Sequence, residues 1–121
     1  MTVLTSLADA DLARVGFTGS AAENAARLAR LAAASGMDGV VCSAEEAPQL
    51  RRATGTGFVL VTPGIRMAAD ARGDQSRVVT PAEAVRRGAD YLVIGRPVTG
   101  AADPAAALDA ILKSLPEASA A

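Results

Sequence analysis

The stretch Tyr91-Leu92-Val93-Ile94-Gly95-Arg96-Pro97-Val98 decides the fold. Four apolar residues without polar alternation predict a strand, and the Gly-Arg-Pro that follows ends it. A continuous run of this kind implies a parallel strand covered on both faces, because a half-solvated strand would alternate. Three more runs share the pattern: Val3-Leu4, Gly39-Val40-Val41-Cys42 and Phe58-Val59-Leu60-Val61. Each is short, and each leads through turn residues into a helical pattern.

The helices announce themselves by their caps. Ser20-Ala-Ala-Glu23 has capping-box spacing, Leu28 and Leu31 supply an apolar stripe, and Gly36 is a natural stop. Ser43-Ala-Glu-Glu46 repeats the box and predicts a helix to about Ala53. Thr80-Pro81-Ala-Glu83 places proline at the first helical position of a helix ending near Gly88. Asp103-Pro104 opens the last helix, with Leu108, Ile111, Leu112 and Leu115 on one face. A short helix is expected from Asp9 to Val15, stopped by Gly16.

Strand and helix therefore alternate. Right-handed crossovers make this an α/β chain, a single unit over residues 1–121 with four parallel strands each followed by helix. Four such units match half of an eightfold βα barrel, which typically takes about 250 residues. The first strand starts directly after Met1, with no lead-in. A four-stranded arc leaves two open edges and an uncovered apolar face, so completion by oligomerisation is expected.

Composition narrows the chemistry. Half of the 121 residues are hydrophobic, which argues against a disordered tail. Twelve basic and thirteen acidic residues give a net charge of −1, so no nucleic-acid footprint is expected. No apolar run approaches the roughly 20 residues of a membrane span, and no membrane partner is expected. Cys42 is the single cysteine, which fits a reducing cytoplasm, and it reads as a small buried hydrophobe. There is no histidine, which excludes imidazole bases and imidazole metal ligands. The only lysine, Lys113, lies near the C-terminus in what reads as a surface helix.

Ligands of parallel sheets bind beyond the carboxyl ends of the strands. Those ends carry Thr5-Ser6, Ser43, Thr62-Pro63-Gly64-Ile65-Arg66 and Gly95-Arg96-Pro97. Gly95 lets an anion approach its N–H closely, and the Arg96 guanidinium fork suits phosphate. Gln75 is a two-way hydrogen-bonding group on a long polar loop.

In order along the chain, Thr2-Val-Leu-Thr-Ser6, Asp38-Gly-Val-Val-Cys-Ser43, Leu60-Val-Thr-Pro-Gly-Ile-Arg66, Gly73-Asp-Gln75, Thr80-Pro81 and Val93-Ile-Gly-Arg-Pro-Val98 resemble the orotidine 5′-phosphate decarboxylase family. The resemblance is to the C-terminal half, strands five to eight of the barrel. It implies that Gly95 and Arg96 hold the 5′-phosphate and that Gln75 bridges phosphate and pyrimidine. Thr5 or Ser6 would hydrogen-bond the base, Pro63 and Arg66 belong to the covering loop, and Ile94 lines the pocket floor. It implies no metal or organic cofactor. The family's catalytic Asp-x-Lys-x-x-Asp array lies in the first half and has no counterpart here, so the chain alone is expected to be inactive.

The partners this implies are a second copy of the chain, forming a homodimer or higher oligomer, or the missing N-terminal half. The ligand would be an orotidylate- or uridylate-like nucleotide, or free phosphate, held weakly. The alternative is a noncatalytic, self-associating folding module. That module, an engineered or truncated half-barrel, keeps at most weak phosphate binding. Read one by one without the resemblance, Thr5 and Ser6 simply cap the helix at Asp9, Arg66 is a solvated loop charge, Arg96 a surface arginine and Gln75 an ordinary loop residue.

Overall fold

The computed structural model describes residues 1–68 and 79–117. Within them, β1 (Gly39–Val41), β2 (Val59–Thr62) and β3 (Tyr91–Leu92) form a parallel sheet in sequence order. Val41, Val61 and Tyr91 lie side by side in register. Helices α1 (Asp9–Arg14) and α2 (Ala21–Ala34) precede the sheet; α3 (Ala47–Thr54) follows β1 and α4 (Pro81–Arg86) follows β2. After β3 come the short α5 (Arg96–Thr99) and α6 (Pro104–Ser114).

The caps form as their spacing requires. Ser20 Oγ accepts from Glu23 N at 3.2 Å while Glu23 Oε2 accepts from Ser20 N at 2.7 Å. Thr80 and Asp103 accept from Glu83 N and Ala106 N at 3.3 and 3.0 Å. Each cap of this type stabilises its helix by about 1 kcal/mol. The Ser43–Glu46 box also forms, at 3.3 and 3.2 Å, but on a turn: α3 itself begins at Ala47. Pro48 then falls in the first turn, where a missing N–H costs nothing.

Among the described residues the sheet has three strands, not the expected four. Thr2 donates its N–H (2.9 Å) and its hydroxyl (3.2 Å) to Val41 O, so the leading segment does reach the edge of β1. The ladder stops there because the chain turns at once, with Leu7 N donating to Leu4 O at 3.0 Å. Val3 is buried beneath the turn, and Leu4 is left 50% exposed.

Coverage also differs from expectation, since among the described residues helices pack on one face of the sheet. On that face Cys42 and Leu60 join Ala25, Ala26, Ala29, Ala47 and Leu50 in one core cluster. Small alanines line the contact between α2, α3 and the sheet. Between the strands, Gly39 is required: a Cβ there would come within 2.2 Å of Val59 O. The α2 stripe is thus carried by alanine together with half-buried Leu28, and Leu31 faces water at 62% exposure. A second cluster gathers Ala44, Ile65, Val79, Ala84 and Ala89 against Leu92 and Ile94. The opposite face, bearing Val41, Val61 and Tyr91, has no covering layer among the described residues, and Tyr91 is 64% exposed. On α6, Ile111 is buried, whereas Leu108 and Leu112 are exposed.

One clamp fixes the amino ends of β2 and β3. Arg51 Nη1 donates to the carbonyls of Gly55 (2.9 Å) and Phe58 (2.6 Å), and Nη2 to Gly88 O (2.7 Å) and Asp90 Oδ2 (2.6 Å). Asp90 Oδ2 accepts in turn from Leu60 N at 2.8 Å. The Arg51 side chain is 18% exposed and that of Asp90 40%, so solvent trims the ionic part and leaves the charged hydrogen bonds dominant. Arg51→Met should cost about 2–4 kcal/mol. Arg51→Lys should recover only part of it, because an ammonium cannot fork across these acceptors. Urea midpoints at unchanged slope measure both; a methionine variant unfolding with the parent would show that the strands align without the clamp.

Candidate functional site

Beyond the carboxyl ends of the strands lies an open groove of about 1140 Å³. The leading segment contributes Thr5 and Ser6, the turn after β1 contributes Ser43, Glu45 and Glu46, and the loop after β2 contributes Pro63, Gly64 and Arg66. Arg96 enters from the start of α5. Five of the seven site residues expected from sequence therefore share one groove. Gly95 stands beside it as the exposed residue before α5, and Gln75 lies outside the described residues.

The loop after β2 is held by its own sequence. Gly64 turns the chain at φ 78°, a left-handed conformation that a side chain would strain. Ile65 then plugs the second core cluster at 2% exposure and bridges to Val79, whose carbonyl accepts from Arg66 N at 3.2 Å. Arg66 is thereby delivered to the groove wall. Gly95 sits at φ −100°, with nothing within 4 Å of where a Cβ would be, so its backbone is open to close approach. Among the described residues, neither Arg66 nor Arg96 forms an ion pair. Arg66 and Arg96 share the groove with the hydroxyls of Thr5 and Ser6 and the carboxylates of Asp9, Glu45 and Glu46, a wall that offers both donors and acceptors to a polar ligand.

The residue before α1 is Ala8, whose N–H is accepted by Asp11 Oδ2 at 3.0 Å. Thr5 and Ser6 therefore do not cap that helix, which overturns the capping alternative. Asp9 likewise accepts from Ala21 N at 2.7 Å and so holds α1 against the start of α2. Cys42 is fully buried, and burial, then the Glu46 carboxylate, push its thiol up to about 12. It is the small hydrophobe its position suggested. Lys113 pairs with Asp109 on the exposed side of α6 and does not line the groove.

The wall residue that sequence reasoning missed is Glu46. Its spacing from Ser43 marked a helix start and hid that the same turn faces the groove. Burial pushes its carboxyl above the ordinary value, partly opposed by the bonds from Ser43.

Comparison with known proteins identifies the frame. Residues 1–111 match the family model described as orotidine 5′-phosphate decarboxylase / HUMPS family. The chain belongs to that family. It is 58% identical over 115 residues to the orotidine 5′-phosphate decarboxylase of Hahella chejuensis, covering 95% of this chain and 49% of that enzyme. It is 60% identical over 111 residues to that of Laribacter hongkongensis, covering 92% and 46%. The crystal structure of orotidine 5′-phosphate decarboxylase from Lactobacillus acidophilus superposes with a TM-score of 0.75 at 41% identity, over 93% of this chain and 46% of the other. The chain thus spans about half the length of the curated relatives it matches, and its open sheet matches about half of such a barrel.

Glu46 gives this decarboxylase-family site a pH signature. A carboxyl raised in the folded state contributes stability that is fully present below its unfolded value of 4.5 and lost as pH rises through the folded value. Glu46→Gln keeps an acceptor for Ser43 N without the charge. The variant should gain thermal stability over the parent near neutral pH and lose that advantage near pH 4. Melting curves across that range check this; a difference independent of pH would remove burial of the charge as its cause.

Proposed function

We propose that this chain is the C-terminal half of an orotidine 5′-phosphate decarboxylase, the enzyme that converts orotidylate to UMP and CO2, and that it carries the nucleotide grip without the catalytic array. The observation that supports this is the convergence of Thr5, Ser6, Pro63, Arg66 and Arg96 on one groove from three segments: the leading segment, the loop after β2 and the start of α5. In this reading Arg96, with the Gly95 backbone, takes the 5′-phosphate. Thr5 or Ser6 meets the base, and Arg66 closes over the ligand from the Pro63 loop. Gln75 would reach across from the loop that follows.

The chemistry of decarboxylation needs a proton donor for the carbanion left when CO2 departs and carboxylates around the reacting group. The resemblance puts those on the first half of the barrel. The one lysine here is solvent-exposed and paired with Asp109. Phosphate binding energy ordinarily supports chemistry at the far end of the substrate. Without that far end the chain binds and does not turn over.

Affinity for UMP should be on the order of millimolar, about −4 kcal/mol. Titration followed by backbone amide NMR should give saturable shifts at Gly95 and Arg96. Arg96→Ala should weaken them about tenfold or more, as expected for one charge-assisted bond. Adding the first half of a relative should restore loss of orotidylate absorbance. A well-dispersed spectrum with no UMP response would overturn the nucleotide grip, and a stable complex of halves without turnover would overturn the split-enzyme reading.

A further inference from the structure

We propose that Asp9 is a positioning residue for the groove. Its carboxylate, bonded to the first N–H of α2, sets where the segment carrying Thr5 and Ser6 stands, a role that rests on the nucleotide reading above for its ligand but not for the placement itself. Burial does not place that segment. Val3 is 5% exposed and Leu12 3%, and between them no side chain is buried. Thr5 and Ser6 are both exposed. Bonds inside the segment give it a local shape, with Leu7 N donating to Leu4 O at 3.0 Å and Ala8 N to Asp11 Oδ2 at 3.0 Å. That shape must still be fixed relative to the rest of the groove.

Helix α1 fixes it at two points. The helix is six residues long and Leu12 is its buried residue. One apolar contact leaves so short a helix free to swivel about it. Asp9 supplies the second point, three residues before Leu12 and so on the same face of the helix. Its Oδ1 accepts from Ala21 N at 2.7 Å, twelve residues along the chain. Ala21 is the first residue of α2, whose N–H has no partner inside its own helix, so an ionised acceptor there makes a charge-assisted bond. Helix α2 is itself immobilised by Ala25, Ala26 and Ala29, all buried in the first core cluster.

The groove lies along this route. Thr5, Ser6, Ala8, Asp9 and Ala21 all line it. Placement therefore passes from the core through α2 to Ala21 N, to Asp9, and along Ala8 to the two hydroxyls. The Asp9 bond is exposed, so water replaces it readily and its loss costs little global stability. What its loss changes is where Thr5 and Ser6 stand. Gly95 and Arg96 are presented by the start of α5 and share no part of this route. Asp9 thus governs the end of the groove assigned to the base and leaves the end assigned to phosphate alone.

Two variants of the whole chain separate placement from charge. Asp9→Ala removes the acceptor, whereas Asp9→Asn keeps an Oδ1 acceptor and drops the charge. UMP and inorganic phosphate are titrated against each, and the readout is the ratio of the two affinities, in which a general change of charge cancels. In a parent that prefers UMP, Asp9→Ala should lower the ratio about two- to tenfold, the worth of one hydrogen bond. Asp9→Asn should restore it, and both variants should melt close to the parent. An unchanged ratio in Asp9→Ala, UMP and phosphate weakening in step, or Asp9→Asn behaving as Asp9→Ala would each overturn the proposal. Backbone order parameters of the ligand-free chain give a second readout. Those of Thr5 and Ser6 should fall in Asp9→Ala from about 0.85 toward roughly 0.6 and stay parental in Asp9→Asn. Unaltered order in Asp9→Ala overturns the positioning role whatever the titrations give. A parent that binds UMP no better than phosphate, with order responding as stated, removes the nucleotide reading and leaves the placement by Asp9 standing.

Discussion

A parallel sheet of three short strands has few backbone hydrogen bonds with which to hold its register, and here the guanidinium of Arg51 does much of that work. From the end of α3 it reaches the carbonyl before β2, the carbonyl at the end of the turn after α4, and the carboxylate before β3. Asp90 passes the constraint back to Leu60 N inside β2. One side chain therefore ties a helix to the amino ends of two strands. The carboxyl ends, freed of that task, carry the irregular loops and the glycines on which a binding groove depends. Stability at one end of the strands and function at the other is the division of labour of βα barrels generally.

The second constraint is that the sheet is packed on one side only. Its covered face uses small residues, so α2 and α3 approach closely and their alanines reach complete burial. Its open face presents β-branched residues and a tyrosine that would suit a barrel interior. Leu108 and Leu112 of α6 repeat the theme on the helical layer, where a neighbouring helix would be needed to cover them. The two core clusters are each closed without help from the open face.

Helices were legible because their start signals are local: Ser20, Thr80 and Asp103 each bond a backbone N–H three residues on. Candidate site residues were legible for a similar reason. A turn that ends an apolar run in a parallel sheet must lie at its carboxyl end, and Thr5, Pro63, Arg66 and Arg96 all follow from that. Three things were not legible. The leading strand failed because a turn three residues wide competes for Leu4 O, and hydropathy does not register such competition. Strand coverage was misjudged because the continuous runs reflect the environment of a whole barrel, of which this chain forms half. Arg51 escaped notice because its two long-range partners are 37 and 39 residues away, and nothing in its local sequence separates it from the adjacent Arg52.

On the proposed reading, the separation of grip from chemistry has a physical basis in these residues. Arg66 and Arg96 form no ion pair among the described residues, and their presentation depends on local backbone: Gly64, the Ile65 plug, the Val79 bridge and the first turn of α5. A single open layer suffices to build them. An alternating array of lysine and aspartate has the opposite requirement. Its members must be held close together and away from solvent for their fields to act on a bound substrate, and a groove open along one whole side screens such fields. A half-barrel can thus keep a binding site whose charges face water. It cannot sustain charge chemistry that needs an enclosed interior, whichever residues it carries, until the open face is covered.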